Sequence, residues 1–253
     1  MSEPKVSSLA KALRVLECFS AEEPELGVTE ISEKLGIGKS NAHNIISTYC
    51  QMGYLQQMPN RKYALGYRLL EHAFIINQHL GYPQAVYDLL LEAAERTGQI
   101  VYFGIPYESD VLYLYVAHPI ARMKELPYRE ICGERAPLCT TGIGKAMLAH
   151  MPPETWASKI PDSIVPHTPH TITDKGQLLR ELQLTRERGF SIDDCEHEAS
   201  VRCVGAPVFN ARGTLVAGIS SSGSAQVMTD EKLRECADIL LGITQRIRER
   251  LYA

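Results

Sequence analysis

Apolar residues recur at helical spacing at Leu9, Ala12, Leu13, Val15, Leu16 and Phe19, which predicts an amphipathic helix over 8–20. Glu22-Glu23-Pro24 ends it. A second helix is expected over 28–35, with Ile31 and Leu35 turned inward. Gly36-Ile37-Gly38 makes a sharp turn, and a third helix follows over 39–52, closed by Gly53, with Ala42, Ile45, Ile46 and Tyr49 as its apolar face. Small Ser32 stands four residues ahead of Gly36, where two crossing helices leave little room, and glycine supplies the backbone angles of the turn. This spacing fits a helix-turn-helix, although a bare two-helix hairpin gives the same pattern. The next stretch narrows the choice. Tyr54 to Met58 and Arg61 to Leu65, either side of Pro59-Asn60, read as a short hairpin with a basic tip. Together these elements predict a winged helix, its third helix in the major groove and its wing against the backbone.

A helix continues over 66–80 and breaks at Gly81-Tyr82-Pro83, which suggests a hinge. Another runs over 82–97 to Gly98. The period then changes to two: strands are expected at 100–105 and 111–116 around Glu108-Ser109-Asp110, and later at 189–195, 203–209 and 214–221. Helices fit at 143–150, 174–188 and 230–250. Strand pairs flanked by helices predict an α+β body with an antiparallel sheet. The expected organisation is a DNA-binding domain over 1–66, a linker helix over 67–81 and a second, α+β domain over 82–253.

Composition excludes more than it selects. With 45% hydrophobic and 22% charged residues, the 253-residue chain reads as globular rather than disordered or coiled-coil. No apolar run reaches the roughly 20 residues of a membrane span, and the first residues lack the apolar core of a signal peptide. Seven scattered cysteines without a Cys-x-x-Cys pair suggest reduced thiols and a cytoplasmic location. The net charge of −4 divides unevenly: residues 1–70 carry +1 and the remainder −5. Around Lys34, Lys39, Arg61, Lys62 and Arg68 the head is locally basic, which suits a phosphate-facing surface and equally a solvated one.

Two segments carry candidate chemistry. On the third predicted helix, Lys39, Ser40, Asn41, His43, Asn44 and Ser47 occupy the polar face. Ser40 and the helix N-terminus suit phosphate contacts, the amides of Asn41 and Asn44 can pair with adenine, and His43 can donate or accept. Arg61 and Lys62 sit at the wing tip. The second segment is Thr140-Thr141-Gly142-Ile143-Gly144-Lys145-Ala146, a glycine loop opening into a helix, where backbone N–H groups can hold an anion. It is not a nucleotide P-loop, since Cys139 and Ala146 stand where that motif needs Gly and Ser or Thr. A tight packing turn would read the same way. The run Asp193-Asp194-Cys195-Glu196-His197-Glu198 matches no zinc spacing and reads as a solvated strand end, and position 222 is Ser222 where a nucleophile elbow needs glycine. Neither an enzyme nor a metal site is therefore expected.

Ser8-Leu9-Ala10-Lys11-Ala12-Leu13, the stretch Thr29 to Tyr54 and Tyr63-Ala64-Leu65-Gly66 resemble the IclR family of bacterial transcriptional regulators, and the resemblance runs from about Ser7 to Arg250. It implies an N-terminal winged helix-turn-helix, a linker helix and a GAF-like effector domain. It also implies homodimers or dimer-of-dimers tetramers that bind double-stranded operator DNA without a cofactor. Lys11 stands where arginine is usual, and Asn44 replaces a basic residue common after His43, so no operator sequence carries over. The family's effector positions fall on Gly142, Ile143, Asp193, Cys203, Ser220 and Ser222, which implies a small carboxylate effector; Ala136 before Pro137 leaves room beside them. The expectation is a regulator, more commonly a repressor in this family, with the linker transmitting the effector's influence. The alternative is a metabolite-binding protein or small-molecule enzyme with an incidental helical head.

Overall fold

A computed structural model describes residues 4–122 and 131–251. The chain forms two compact units that divide between Leu80 and Gly81.

The first unit holds α1 (Ser7–Leu16), α2 (Val28–Leu35), α3 (Lys39–Gln51), β1 (Leu55–Gln57), β2 (Tyr63–Leu65) and α4 (Arg68–Leu80). Its core is small: Val15, Leu26, Ile31, Ala42, Ile46, Leu55 and Tyr63. Gly36 closes α2 in the left-handed region at φ 63°, as the turn requires, and the Ser32 hydroxyl donates to the Ile37 carbonyl at 2.6 Å. The small residue ahead of the turn thus fastens it from within. β1 and β2 pair antiparallel as the wing, with Leu55 opposite Leu65. Two expectations are corrected here. α1 stops at Leu16 rather than continuing to residue 20, because the chain turns at Glu17 and packs Cys18 and Phe19 against the core. Leu9 and Leu13 do not face that core; they are exposed, leaving Val15 as the buried residue of α1.

The second unit holds α5 (Tyr82–Thr97), β3 (Ile100–Tyr107), β4 (Asp110–Ala117), β5 (Arg135–Pro137), α6 (Gly142–His150), α7 (Trp156–Lys159), α8 (Lys175–Arg188), β6 (Ser191–Asp194), β7 (Val201–Phe209), β8 (Leu215–Ser224) and α9 (Asp230–Arg250). The six strands form one antiparallel sheet in the order β5-β4-β3-β8-β7-β6. β5, which the residue pattern does not announce, is a three-residue edge strand, and the edge is where Pro137 is tolerated.

Strand alternation sorts the two faces. Phe103 meets Tyr82 of α5 ring to edge at 5.2 Å, and α9 packs against β7 and β8, so α5 and α9 cover one face. Arg246–Glu92 and Arg250–Asp88 pairs, each at 2.6 Å, bind α9 to α5. The opposite face carries α6, whose residues 142–149 are all buried. Ile143, Met147 and Leu148 join Trp156, Leu178 and Leu182 in a cluster with α7 and α8, and each such side chain is stabilising by roughly 1.5–3 kcal/mol when removed from water. Gly205 of β7 permits this seating: a Cβ there would stand 2.5 Å from the Gly142 carbonyl oxygen and 2.8 Å from the Ile143 nitrogen.

Candidate functional site

In the first unit, α3 presents Lys39, Ser40, Asn41, His43 and Asn44 to solvent along its N-terminal half, while Ala42 and Ile46 anchor the opposite side. Among the described residues none of those five side chains is engaged in a hydrogen bond or ion pair. Ser47 is half-buried. At the wing, Arg61 is exposed and takes φ 65°, a left-handed turn position, and its N–H donates to the Met58 carbonyl at 2.9 Å. Lys62 is half-buried and pairs with Glu30 at 3.1 Å. Both partners are solvent-accessible, so the pair is worth about 0–1 kcal/mol and a phosphate could compete for the lysine.

In the second unit, a cavity of about 570 Å³ opens on the α6 face of the sheet. All six positions singled out as the effector site, Gly142, Ile143, Asp193, Cys203, Ser220 and Ser222, line it. Register explains the convergence. Asp193 on β6 pairs with Cys203 on β7, Cys203 with Ser222 on β8, and Ser222 with Ile100 on β3, making one row across four strands. The next row on that face runs Ser191, Gly205, Ser220, Tyr102. The N-terminus of α6 stands over these rows. The Thr141 side chain caps it by accepting from the Gly144 N–H at 3.1 Å, and the Lys145 N–H bonds the Thr141 carbonyl. Among the described residues the N–H groups of Gly142 and Ile143 take no partner, which leaves them to the cavity, at the positive end of a helix dipole.

The electrostatics of this wall depart from those of a solvated strand end. Asp193 and Glu196 are 2% and 5% exposed, so the reading of 193–198 as a solvated run is corrected for both; Asp194 and Glu198 are exposed. Glu196 is drawn inward by the fully buried Lys145 of α6, with which it forms a short ion pair, and by Thr171, whose hydroxyl donates to the Glu196 carbonyl at 2.6 Å. Burial pushes the Asp193 carboxyl up to about 7, against the opposing pull of the Glu196 N–H and the Lys145 charge. Burial also raises Glu196. The Cys203 thiol is raised well above its ordinary value by burial and by Asp193, which keeps it protonated and makes it a wall rather than a nucleophile.

Ala136, expected to leave room beside these positions, and Thr141 of the glycine-loop segment also line the cavity, whereas sequence reasoning did not find Gln99, Tyr102, Tyr113, His197 and Ser200 among others. Ser224 was within reach, since it continues the period of two from Ser220 and Ser222. The others depend on strand register, which the sequence does not spell out. His197 reaches the Thr140 hydroxyl at 3.4 Å and stacks obliquely on His167 at 4.7 Å. Among the described residues no three His, Cys, Asp or Glu side chains are grouped to hold a metal ion, and no helix is long and apolar enough to cross a membrane.

A winged helix-turn-helix on one unit, and a helix-capped cavity on an antiparallel sheet in the other, define the class of two-unit DNA-binding regulators. Comparison with known proteins makes the assignment specific. Residues 83–249 match the C-terminal domain of bacterial IclR transcriptional regulators, and residues 8–59 match the IclR helix-turn-helix domain. The chain is 31% identical over 232 residues to the transcriptional regulator XynR of Escherichia coli, covering 91% of each, and 29% identical to KdgR of the same organism over 96% of this chain and 91% of that one. Its fold superposes on the IclR crystal structure from Thermotoga maritima with a TM-score of 0.77, 30% identity and 97% and 98% coverage. An IclR homologue from Microbacterium hydrocarbonoxydans, complexed with 4-hydroxybenzoate, shares the fold at a TM-score of 0.84 and 21% identity, over 96% and 99% of the two chains. The chain belongs to the IclR family of transcriptional regulators.

Proposed function

We propose that this regulator changes its affinity for operator DNA when a small carboxylate occupies the cavity under α6. The observation that carries the reading is the convergence of two uncommitted N–H groups, Gly142 and Ile143, with the side chains of Asp193, Cys203, Ser220 and Ser222 on one cavity. The N–H groups suit a carboxylate, while Asp193 and the serines suit neighbouring oxygen atoms of the same molecule. The fold is shared with a homologue that was crystallised with 4-hydroxybenzoate, a carboxylate of a size such a cavity accepts.

The DNA contacts fall to Lys39, Ser40, Asn41, His43 and Asn44 in the major groove and to Arg61 and Lys62 on the flanking backbone. The active form is a homo-oligomer. α4 has no buried residue and exposes Leu70, Phe74, Ile75 and Ile76, and a 13-residue helix with so little apolar burial is marginal in water. A second copy of this chain is the partner that repeats the reading head, as a two-fold operator demands. The linker region transmits effector occupancy to the heads, and repression is the output. By linkage, an effector that shifts operator affinity is itself bound more tightly or more weakly by the DNA complex, typically by 1–3 kcal/mol.

The experiment is a selection of random duplexes by the purified chain, followed by fluorescence anisotropy on the selected site with and without a panel of sugar acids, keto acids and aromatic acids. Operator affinity should fall steeply with salt and change with at least one acid. A chain that selects no duplex, or whose DNA affinity no carboxylate alters, refutes the reading.

A further inference from the structure

Three ionisable side chains meet behind the first turn of α6, and their arrangement bears on how an anion enters the cavity; the inference rests on the carboxylate reading above. Lys145 comes from α6, Asp193 from β6 and Glu196 from the segment after β6, with exposures of 0%, 2% and 5%. The Lys145 ammonium bonds one Glu196 oxygen, and the other, Oε2, is buried with no partner among the described residues. Asp193 Oδ1 accepts the Glu196 N–H at 2.7 Å. One ammonium, bonded to Glu196 and acting on Asp193 through its charge, thus stands against two buried carboxyl groups. With both ionised, the cluster carries a net negative charge before any effector arrives.

The effector's seat adjoins this cluster. A Cβ built on Gly142 would lie 3.5 Å from the Asp193 Cβ, and both residues line the same cavity, so on the carboxylate reading the bound anion and the Asp193 carboxyl share that cavity wall. Two carboxylates that share a desolvated site cannot both stay ionised. We propose that Asp193 receives the effector as a neutral acid, so that the effector anion binds together with one proton and Asp193 donates a hydrogen bond to it. The proton stays on Asp193, and no bond other than that hydrogen bond is formed.

The groups around Asp193 agree with this assignment. From α6 it faces Lys145, from β7 the protonated Cys203 thiol, and from the segment after β6 Glu196 and His197, while β8 offers the uncharged Ser222. His167, on the loop before α8, lies against His197. Glu198, Glu134, Arg122 and Arg135 complete the charged lining farther along the cavity. The Asp193 carboxyl, raised to about 7 by burial, is poised to be neutral in the weakly acidic range and to lose its proton above it. His197 is the competing source of any pH dependence, since a protonated imidazole would also favour an anion, and the test has to separate the two.

The probe is acetate, the minimal carboxylate, titrated into the full-length chain labelled with 15N at glycine and isoleucine. The shifts of the Gly142 and Ile143 amides report binding at pH 6 and pH 8. The expected dissociation constant is about tenfold weaker at pH 8, the change in neutral fraction for a group titrating near 7. Asp193→Asn, which keeps a donor but cannot ionise, should bind acetate equally at both pH values, with an affinity near that of the parent at pH 6. Equal affinity of the parent at both pH values overturns the proposal while leaving the carboxylate site standing. A pH slope that survives in Asp193→Asn places the proton on another group, His197 or Glu196, and also overturns it. Amides that do not respond at either pH remove the carboxylate reading itself.

Discussion

Lys145→Met isolates the energetics of the wall behind the cavity. The lysine is fully buried, its ammonium bonds Glu196, and the second Glu196 oxygen already lacks a donor among the described residues. Methionine fills a similar volume but strands the Glu196 carboxylate in a place water does not reach. Removing one partner of a buried pair costs about 3–5 kcal/mol. For a body of this size, that lowers the melting temperature by roughly 6–20 °C. The assay is urea unfolding followed by Trp156 fluorescence. This is the chain's single tryptophan, it is buried, and it belongs to the same cluster as Ile143, Met147 and Leu148, so it reports the packing of α6. The cost carries a pH signature. Glu196 is already raised by burial, and without the ammonium it rises further, so the stranded group takes up a proton as pH falls. The loss should therefore be largest at pH 8 and shrink towards pH 5. The double variant Lys145→Met with Glu196→Gln should recover more than half of it. A loss below about 1 kcal/mol at pH 8, or one that does not change with pH, would refute the argument that Lys145 compensates a buried charge.

Asp193→Asn should stabilise the protein in alkaline solution. The folded acid titrates at about 7 against 3.8 unfolded, so its contribution is fully present below 3.8 and is lost as pH rises to 7. Replacing it gains at most on the order of 4 kcal/mol at pH 8 and nothing near pH 3.5, which urea curves at the two pH values would show. Gly205→Ala should push the first turn of α6 off the sheet, because the new Cβ meets backbone rather than a flexible side chain. A cost of about 1–3 kcal/mol and a weaker acetate response at Gly142 are expected, and an unchanged titration would show that the seat tolerates the methyl group. Phe74→Ser with Ile76→Ser on α4 should convert the parent oligomer to a 28.2 kDa monomer in light scattering; a parent that already runs as a monomer contradicts the proposed assembly.

The elements that were legible in the sequence are those with local signals. α9 spans 230–250 as expected because Thr229 caps it and acids fill its first turn, and α2 ends where Gly36 permits a left-handed turn. α1 misled because it carries two apolar stripes: Ala12, Val15 and Leu16 face inward, while Leu9 and Leu13 face out, and spacing alone does not say which stripe belongs to the chain's own core. The cavity was half legible. The glycine loop and the paired serines announce themselves, but Gln99, Tyr102 and Tyr113 join the wall only through register across the sheet. Lys145 and Glu196, 51 residues apart, each resemble surface charges until the fold buries them together.

The close seating of α6 over Gly205 divides the cavity into parts with different freedom to change. At the end under α6, where the carboxylate is proposed to sit, helix and sheet touch backbone to backbone, so that end has a fixed shape. Other walls are built from side chains, such as Val201 and Val227, that project from strands and loops. On the proposed carboxylate reading, redesign confined to those walls retunes which acid is recognised and leaves the seat under α6 untouched. A chain built this way is a scaffold for biosensors, in which the recognition element can be exchanged without rebuilding the readout.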